Sequence, residues 1–288
     1  MNYSSIDDFL SRSRGVLAKG PVALILVEDL VAVEETLRHH LDRGFRTVLA
    51  FAPAALTLPE DLAAQIHRIS FDARAPQALT RAVNPILAAT PTSSWVYYGY
   101  NAEFLFYPFA ETRNVRELLT FHAEERRDAM LTYVIDLYAP DLTESPNAVN
   151  LSRAMFDRTG YYALARVAPA GSHRDRQMDC FGGVRWRFEE HIPPARRRID
   201  RIALFRPRPG LELREDHTFS DPEYNTYSCP WHHNLTAAIA SFRAAKALMS
   251  NPGSRAAISS FTWANSEPFQ WKAQQLMDLG LMEPGQWF

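Results

Sequence analysis

The chain has 288 residues, a length that suits one large domain or one domain with an appendage. Its formal net charge of −2 gives no electrostatic case for binding nucleic acid or an anionic membrane. Two cysteines are too few for a disulfide framework, and the polar, acidic N-terminus carries no targeting segment. We therefore expect a soluble, cytoplasmic protein without a transmembrane segment.

Apolar runs alternate with amphipathic segments over the first hundred residues. Predicted strands cover residues 22–27, 45–51, 67–71 and 95–100, and predicted helices cover 30–41, 58–66 and 76–89. Strands that alternate with helices in this way predict a doubly wound α/β sheet with parallel strands. In such a sheet the ligand cleft lies at the carboxyl ends of the strands. Because neither Gly-rich phosphate-loop motif occurs, the two commonest nucleotide-binding loops are disfavoured.

The pattern changes after residue 108, where helices and loops become more frequent. We predict a helix over 115–126 capped by Asn114, strands over 129–138 and 199–205, a turn and strand over 181–188, and helices over 235–249 and 267–279. Residues 139–198 are otherwise expected to be rich in loops. This pattern predicts a main domain over residues 1–235 and a C-terminal helical extension over 236–288.

Residues 93–108 contain the most informative stretch of the chain. A buried strand is predicted to end at Tyr100, a polar step follows from Asn101 to Glu103, and a second apolar run ends at Pro108. A polar step of this kind is where an α/β enzyme usually exposes side chains to a ligand.

Several segments, in the same order along the chain, resemble glycosyltransferase family 2, in a bacterial branch with a GT-A fold. They are residues 33–48 with their His-His and Gly-Phe pairs, residues 95–108, Phe156-Asp157-Arg158, residues 182–187, Asp216-His217 and Trp231-His232. The resemblance implies a GT-A-like (Rossmann-like) mixed sheet flanked by helices. It also implies transfer of a sugar from a nucleotide-sugar donor to a glycan or other hydroxyl acceptor, in polysaccharide or surface-glycan synthesis.

The resemblance assigns a role to several donor-side residues. Asn101 and Glu103 would face the donor diphosphate, with Glu103 as the metal ligand for Mn²⁺ or Mg²⁺. Arg185 and Arg187 would offset the negative charge of the diphosphate, and this could make transfer independent of a metal. Asp29 would contact the nucleotide base or ribose.

The acceptor side of the family also maps onto this chain. A general base must deprotonate the attacking hydroxyl, and Asp157 or His217 would serve. His232 would line the acceptor cleft. The group His217, Cys229, His232 and His233 also raises a zinc hydrolase as a further alternative, although its spacing fits no standard zinc site.

The chain departs from the family on its donor side. The positions of the family's Asp-x-Asp motif hold Tyr100-Asn101-Ala102, and residues 28–29 and 52–55 are altered as well. One carboxylate and an amide bind a hard cation less well than two carboxylates. The alternative function is therefore a non-catalytic glycosyltransferase-fold protein that binds a glycan, a nucleotide or a partner enzyme.

Each of these residues also has a structural interpretation. Glu103 could be a buried carboxylate that accepts backbone N–H bonds, Asn101 an ordinary turn residue, and Asp29 a helix N-cap. Asp136, inside a predicted strand, is expected to be a hydrogen-bonded core carboxylate.

Overall fold

The computed structural model describes residues 1–227 and 234–287. The fold is α/β, with a large sheet of parallel and antiparallel strands that is flanked by helices. Its strands are β1 (Asn2–Tyr3), β2 (Val22–Leu26), β3 (Thr47–Ala52), β4 (His67–Ser70), β5 (Val96–Tyr100), β6 (Glu103–Phe106), β7 (Ala129–Tyr138), β8 (Met155–Asp157), β9 (Tyr162–Val167), β10 (His173–Phe181), β11 (Asp200–Phe205), β12 (Ala237–Ser241) and β13 (Ser266–Pro268).

The α-helices are short to medium in length. They are α1 (Ile6–Ser13), α2 (Val33–Asp42), α3 (Glu60–Gln65), α4 (Ala78–Ala89), α5 (Val115–Glu124), α6 (Gly183–Arg187), α7 (Arg243–Ser250), α8 (Pro252–Ala257) and α9 (Ala273–Asp278). Within residues 1–227 and 234–287, none of the helices is long and apolar enough to cross a membrane.

The chain forms two compact units. The first consists of Met1–Phe104, Thr112–Leu131 and Ile202–Asn225, and the second of Leu105–Glu111, Thr132–Arg201 and Thr226–Phe288. This division does not test the predicted domain boundary at residue 235, which stays a prediction.

The first unit contains five neighbouring strands of the sheet that run parallel, in the order β1-β4-β3-β2-β5. β2 pairs in parallel with β3 and with β5, and β3 pairs in parallel with β4. Every residue of β2, β3 and β5 is buried, which is why these strands read as continuous apolar runs in the sequence. The chain moves outward from β2 to β4 and then returns to β5 on the other side of β2. The predicted parallel α/β sheet is thus confirmed.

The helix ends of the first unit show what the local sequence controls. Asn114 accepts N–H bonds from the first turn of α5 and Glu117 returns the bond, a capping box that confirms the predicted start. α2 begins at Val33, later than predicted, because Ala32 adopts a left-handed conformation (φ 52°). Asp29 is therefore not the N-cap of this helix, and that interpretation is wrong.

The second unit is built around β7 and β12, which pair in parallel from Thr132 to Asp136. β8 lies antiparallel to β7 and β13 lies antiparallel to β8. β9 and β10 form a separate two-stranded antiparallel ribbon. A buried cluster that includes Tyr138, Val184 and Phe261 forms part of the core of this unit.

Three predictions for this part of the chain are wrong. Residues 183–187 form helix α6 instead of a strand, because Gly182 and Gly183 take positive φ angles that turn the chain. The first part of the predicted helix 235–249 is strand β12, whose five residues are all buried in the sheet. The predicted helix 267–279 begins as strand β13, and only 273–278 is helical. Residues 236–288 therefore contribute strands as well as helices.

Candidate functional site

A cleft of about 520 Å³ opens in the first unit at the carboxyl ends of β2, β3 and β4. It is lined by Val27, Glu28, Pro53, Ala54 and residues 70–74. Three parallel strands end at the same edge of the sheet, so the loops that follow them surround one space. Its volume lies in the range of cavities that hold small molecules and cofactors.

The walls of the cleft continue the hydrogen-bond ladder of the sheet. The Val27 N–H donates to the Phe51 carbonyl at 2.9 Å, and the Phe71 N–H donates to the Ala52 carbonyl at 2.9 Å. The Phe71 ring packs edge-on against Phe51, with 5.6 Å between ring centroids. Pro53 directly follows β3 and has no N–H to offer a neighbouring strand. The base of the cleft is thus formed by hydrogen-bonded strand ends and by packed aromatic rings.

Charged side chains of both signs lie around the cleft. Glu28 and Asp29 are half-buried, whereas Asp72 and Arg74 are exposed. Asp72 accepts a bond from the Arg74 N–H at 3.0 Å and so holds the loop in a turn. The Arg74 guanidinium lies 3.6 Å from the Asp29 carboxylate, and 67% of its side chain is accessible to solvent. A cation with this much freedom can turn toward an anionic ligand.

Asn101 lies at the end of β5, where it ties this strand to the loop after β2. Its amide oxygen accepts the Glu28 N–H at 2.9 Å, and its amide nitrogen donates to the Asp29 carboxylate at 2.7 Å and to the Val31 carbonyl at 2.9 Å. These bonds occupy the oxygen and both amide hydrogens of a fully buried side chain. Asn101 thereby joins the end of β5 to the segment after β2, at the point where the strand order reverses.

Glu103 is the first residue of β6 and is fully buried. Its carboxylate accepts the Tyr100 N–H at 3.0 Å. On the helix side of the turn, the Ala102 N–H donates to the Thr36 hydroxyl at 2.8 Å. Burial lowers the pKa of the neighbouring His40 to about 4, although the charge of Glu103 acts in the opposite direction. Because Thr36 belongs to α2, its bond to Ala102 fastens the turn to this helix.

The geometry of this turn does not fit a divalent cation. Mn²⁺ and Mg²⁺ bind through several oxygen ligands, whereas Glu103 faces the backbone and Asn101 is fully bonded. Among residues 1–227 and 234–287, no group of three or more His, Cys, Asp and Glu side chains is placed to hold a metal ion. The requirement for Mn²⁺ or Mg²⁺ stays a prediction.

Arg185 and Arg187 lie in the second unit, on α6, and each is paired with a buried carboxylate. The Arg185 guanidinium lies 3.1 Å from Asp136, and the Arg187 guanidinium lies 2.7 Å from Asp157. Asp136 is thus a bonded core carboxylate, as expected. Gly183, at the start of α6, adopts a φ of +63°, a conformation that favours glycine, and its Cα lies close to the Asp136 carboxylate.

Asp157 is surrounded by hydrogen-bond donors. Its carboxylate accepts from the Tyr138 hydroxyl at 2.6 Å, from the Trp263 indole at 2.8 Å and from two nitrogens of Arg187. Burial, followed by the charge of Asp157, raises the pKa of Tyr138 above its usual value. A carboxylate that is buried and bonded in this way is well suited to be a structural counter-ion and poorly placed to take a proton from a substrate.

His217 lies in the first unit, in a turn where it adopts a φ of +63°. Its half-buried ring stacks on Tyr98, with 5.8 Å between ring centroids, and Nδ1 lies 3.0 Å from the Tyr98 hydroxyl. Of the two predicted general bases, His217 is the less enclosed. His232 lies outside the described residues, as do Cys229 and His233.

The structure thus places the predicted site residues in two sets. Asp29 and Asn101 are bonded to each other in the first unit, where Glu103 and His217 also lie, whereas Arg187 is bonded to Asp157 in the second unit.

Sequence reasoning missed the residues of the cleft that follow β4. Asp72 and Arg74 match no motif, but they directly follow a predicted strand, and the carboxyl ends of parallel strands share one edge. Their position after a predicted parallel strand was the signal that could have identified them as cleft residues. No family model matches the chain, and a search of curated proteins also finds no match.

Proposed function

We propose that the protein is a GT-A-like glycosyltransferase that binds the nucleoside part of a nucleotide-sugar donor in the cleft after β2, β3 and β4. The observation that carries this proposal is the position of the cleft, at the carboxyl ends of the parallel strands in a sheet of order β4-β3-β2-β5. In open α/β sheets ligands bind outside the carboxyl ends of the strands, near the point where the strand order reverses, and this cleft borders that point at β2. The sequence resemblance supports the same class of ligand.

The lining of the cleft suits a nucleoside. Apolar walls for a flat base are provided by the side chains of Val27, Pro53 and Phe71. The carboxylates of Glu28 and Asp72 can accept hydrogen bonds from ribose hydroxyls or from base N–H groups. A mostly apolar space with a few polar groups at its rim is the usual character of such sites.

Arg74 is the side chain of this cleft that suits a phosphate. Transfer of the sugar leaves a diphosphate with growing negative charge, and a positioned cation stabilises that charge. Arg185 and Arg187, predicted for this role, are already paired with Asp136 and Asp157. We propose that Arg74 leaves Asp29 and takes the phosphate, and that His217 deprotonates the acceptor hydroxyl of a glycan or other acceptor.

A second candidate is a non-catalytic protein of this fold that binds a nucleotide, a glycan or a partner enzyme. The specific observation in its favour is the bonding of Asn101 and Glu103, which occupy the motif positions but serve the turn itself. A protein of this kind would keep the nucleoside cleft and lack transfer activity.

Binding is tested by thermal shift with UDP-, GDP- and CMP-sugars, each with and without Mn²⁺. We expect one nucleotide to raise the melting temperature, and Arg74→Ala to reduce that rise. The matched control is Arg153→Ala, which also removes an exposed arginine paired with one carboxylate. If no donor raises the melting temperature, nucleotide binding in this cleft is refuted.

Catalysis is tested separately by following release of the nucleoside diphosphate from the donor that binds. Release that slows strongly in His217→Asn but not in Arg153→Ala supports the transferase. Binding without release, in the presence of a panel of glycans, supports the non-catalytic protein instead.

A further inference from the structure

The ribbon of β9 and β10 carries an unusual amount of exposed apolar surface. Among the described residues, the large hydrophobic side chains with high exposure are Met1, Leu30, Tyr162, Leu164, Val167 and Trp186. Three of these six belong to β9, where Tyr162 is 44% exposed, Leu164 56% and Val167 53%. A concentration of exposed apolar side chains on one short strand marks an interaction surface.

The outer edge of β9 is open in the part of the chain that the structure describes. There, the backbone groups of residues 162–167 bond to β10 and to no other element. β10 differs, because on its outer side the Cys180 carbonyl accepts from the Ile199 N–H and the Arg176 carbonyl accepts from the Tyr227 N–H. β10 also carries a bulge between His173 and Met178. One edge of the ribbon is covered and irregular, and the other is regular and bare.

β9 also lacks the features that normally prevent strand edges from pairing. Natural edge strands are protected by exposed charges, proline or bulges, whereas β9 reads Tyr-Ala-Leu-Ala-Arg-Val. Its one charged side chain, Arg166, is only 6% exposed and lies 2.7 Å from Asp179 and 3.0 Å from Asp200. The edge therefore presents no charge that would repel an identical strand.

We propose that β9 pairs with β9 of a second copy of this chain, in an antiparallel arrangement about a two-fold axis. Two identical strands that run antiparallel form a self-complementary contact, as two-fold symmetry requires. The pairing converts two isolated ribbons into one four-stranded sheet, and sheets of three or more strands are considerably more stable in water than a single hairpin. The partner strand also places side chains beside Tyr162 and Leu164 on one face and beside Val167 on the other, which covers part of their exposed surface.

The length of the strand sets the expected strength of this dimer. A pairing of six residues buries less surface than the roughly 1,200 Å² at the lower end of stable protein interfaces. The dimer should therefore dissociate on dilution, and its mass should depend on protein concentration.

Sedimentation velocity of the full chain over a dilution series tests this inference. We expect the mass to fall about twofold on dilution, and Leu164→Lys and Val167→Lys to be monomers throughout. Both side chains are exposed, so we expect these variants to keep the parent circular dichroism spectrum. The matched control is Leu30→Lys, an exposed leucine of the other unit, which should still dimerise.

Several outcomes would overturn the proposal. A parent chain that stays monomeric at every concentration refutes it, and so does a dimer that persists in both lysine variants. If the monomer instead binds phosphatidylcholine vesicles and Leu164→Lys abolishes that binding, the apolar strand faces a lipid surface and the self-pairing is wrong.

Discussion

The turn after β5 and the loop after β4 both follow parallel strands of the first unit, yet their polar side chains have opposite surroundings. Asn101 and Glu103 are fully buried and bonded to the protein itself, whereas Asp72 and Arg74 are exposed around a cleft. A buried polar group needs its hydrogen bonds for stability, and an exposed one can exchange water for a ligand. The polar side chains of the turn are thus bonded within the protein, whereas the exposed polar side chains of the cleft lie in a loop that matches no motif.

The second unit, like the turn after β5, contains buried polar side chains that are bonded to the protein itself, and here they form ion pairs. Arg185 and Arg187 neutralise Asp136 and Asp157 in its interior. Substitutions in the buried sets should therefore change stability, and substitutions in the cleft should change ligand binding.

The largest effect is expected for Asp157→Asn. This change leaves the Arg187 charge without its buried partner, and breaking such a pair costs about 3–5 kcal/mol of unfolding free energy. Urea denaturation measures it. The control is Glu144→Gln, which breaks the exposed pair with Arg153 and should cost less than about 1 kcal/mol. Equal costs for the two variants would contradict the structural role of Asp157.

A smaller loss is expected for Asn101→Asp, which places a carboxylate at the middle position of the Tyr100-Asn101-Ala102 step. The new carboxylate cannot donate to Asp29 or to the Val31 carbonyl, so we expect a loss of about 1–3 kcal/mol. Chemical denaturation with and without Mn²⁺ is the measurement. Recovery of the parent stability in Mn²⁺ would show that the turn accommodates a metal. The difference drawn here between the turn and the cleft would then be wrong.

The pH dependence of the unfolding free energy tests whether the buried histidines of the first unit are neutral. Burial lowers the pKa of His40 to about 4, and burial does the same for His122. Between pH 6.5 and about 4 these two histidines are protonated in the unfolded chain and neutral in the folded one, so the stability that they contribute is lost as the pH falls through this range. Each histidine contributes at most about 1.4 kcal/mol per pH unit.

Urea denaturation at several pH values measures this slope. His40→Gln should flatten the slope, because glutamine cannot bind a proton in this range. A slope that is the same in the parent and in His40→Gln would contradict the buried, neutral state of His40.

The smallest effect on stability is expected for Arg74→Ala. The Arg74 side of its pair with Asp29 is exposed and the two groups are 3.6 Å apart, so the unfolding free energy should change by less than about 1 kcal/mol. Affinity for the nucleotide should fall about tenfold, the usual cost of one charge-assisted hydrogen bond. Calorimetric titration measures the affinity. A large loss of stability with unchanged affinity would show that Arg74 stabilises the fold and does not bind the nucleotide.

Local sequence predicted much of the first unit correctly. The strands over 22–27 and 95–100 were identifiable because strands buried on both faces are continuously apolar. The capping box at Asn114 was also a local signal. Strand β12 was missed because its short run of alanines and one isoleucine also fits a helix, and only its place in the sheet separates the two structures.

The sequence by itself determined the parallel α/β arrangement of the first unit, because the spacing of apolar residues sets helix and strand. It also identified the residues around 101–103 as a polar step between two buried strands. The tertiary structure alone decided what those residues do. Asn101 bonds to Asp29, which lies 72 positions away in the chain. Periodicity describes neighbours along the chain, whereas the role of a polar side chain is set by the distant partners that folding brings to it.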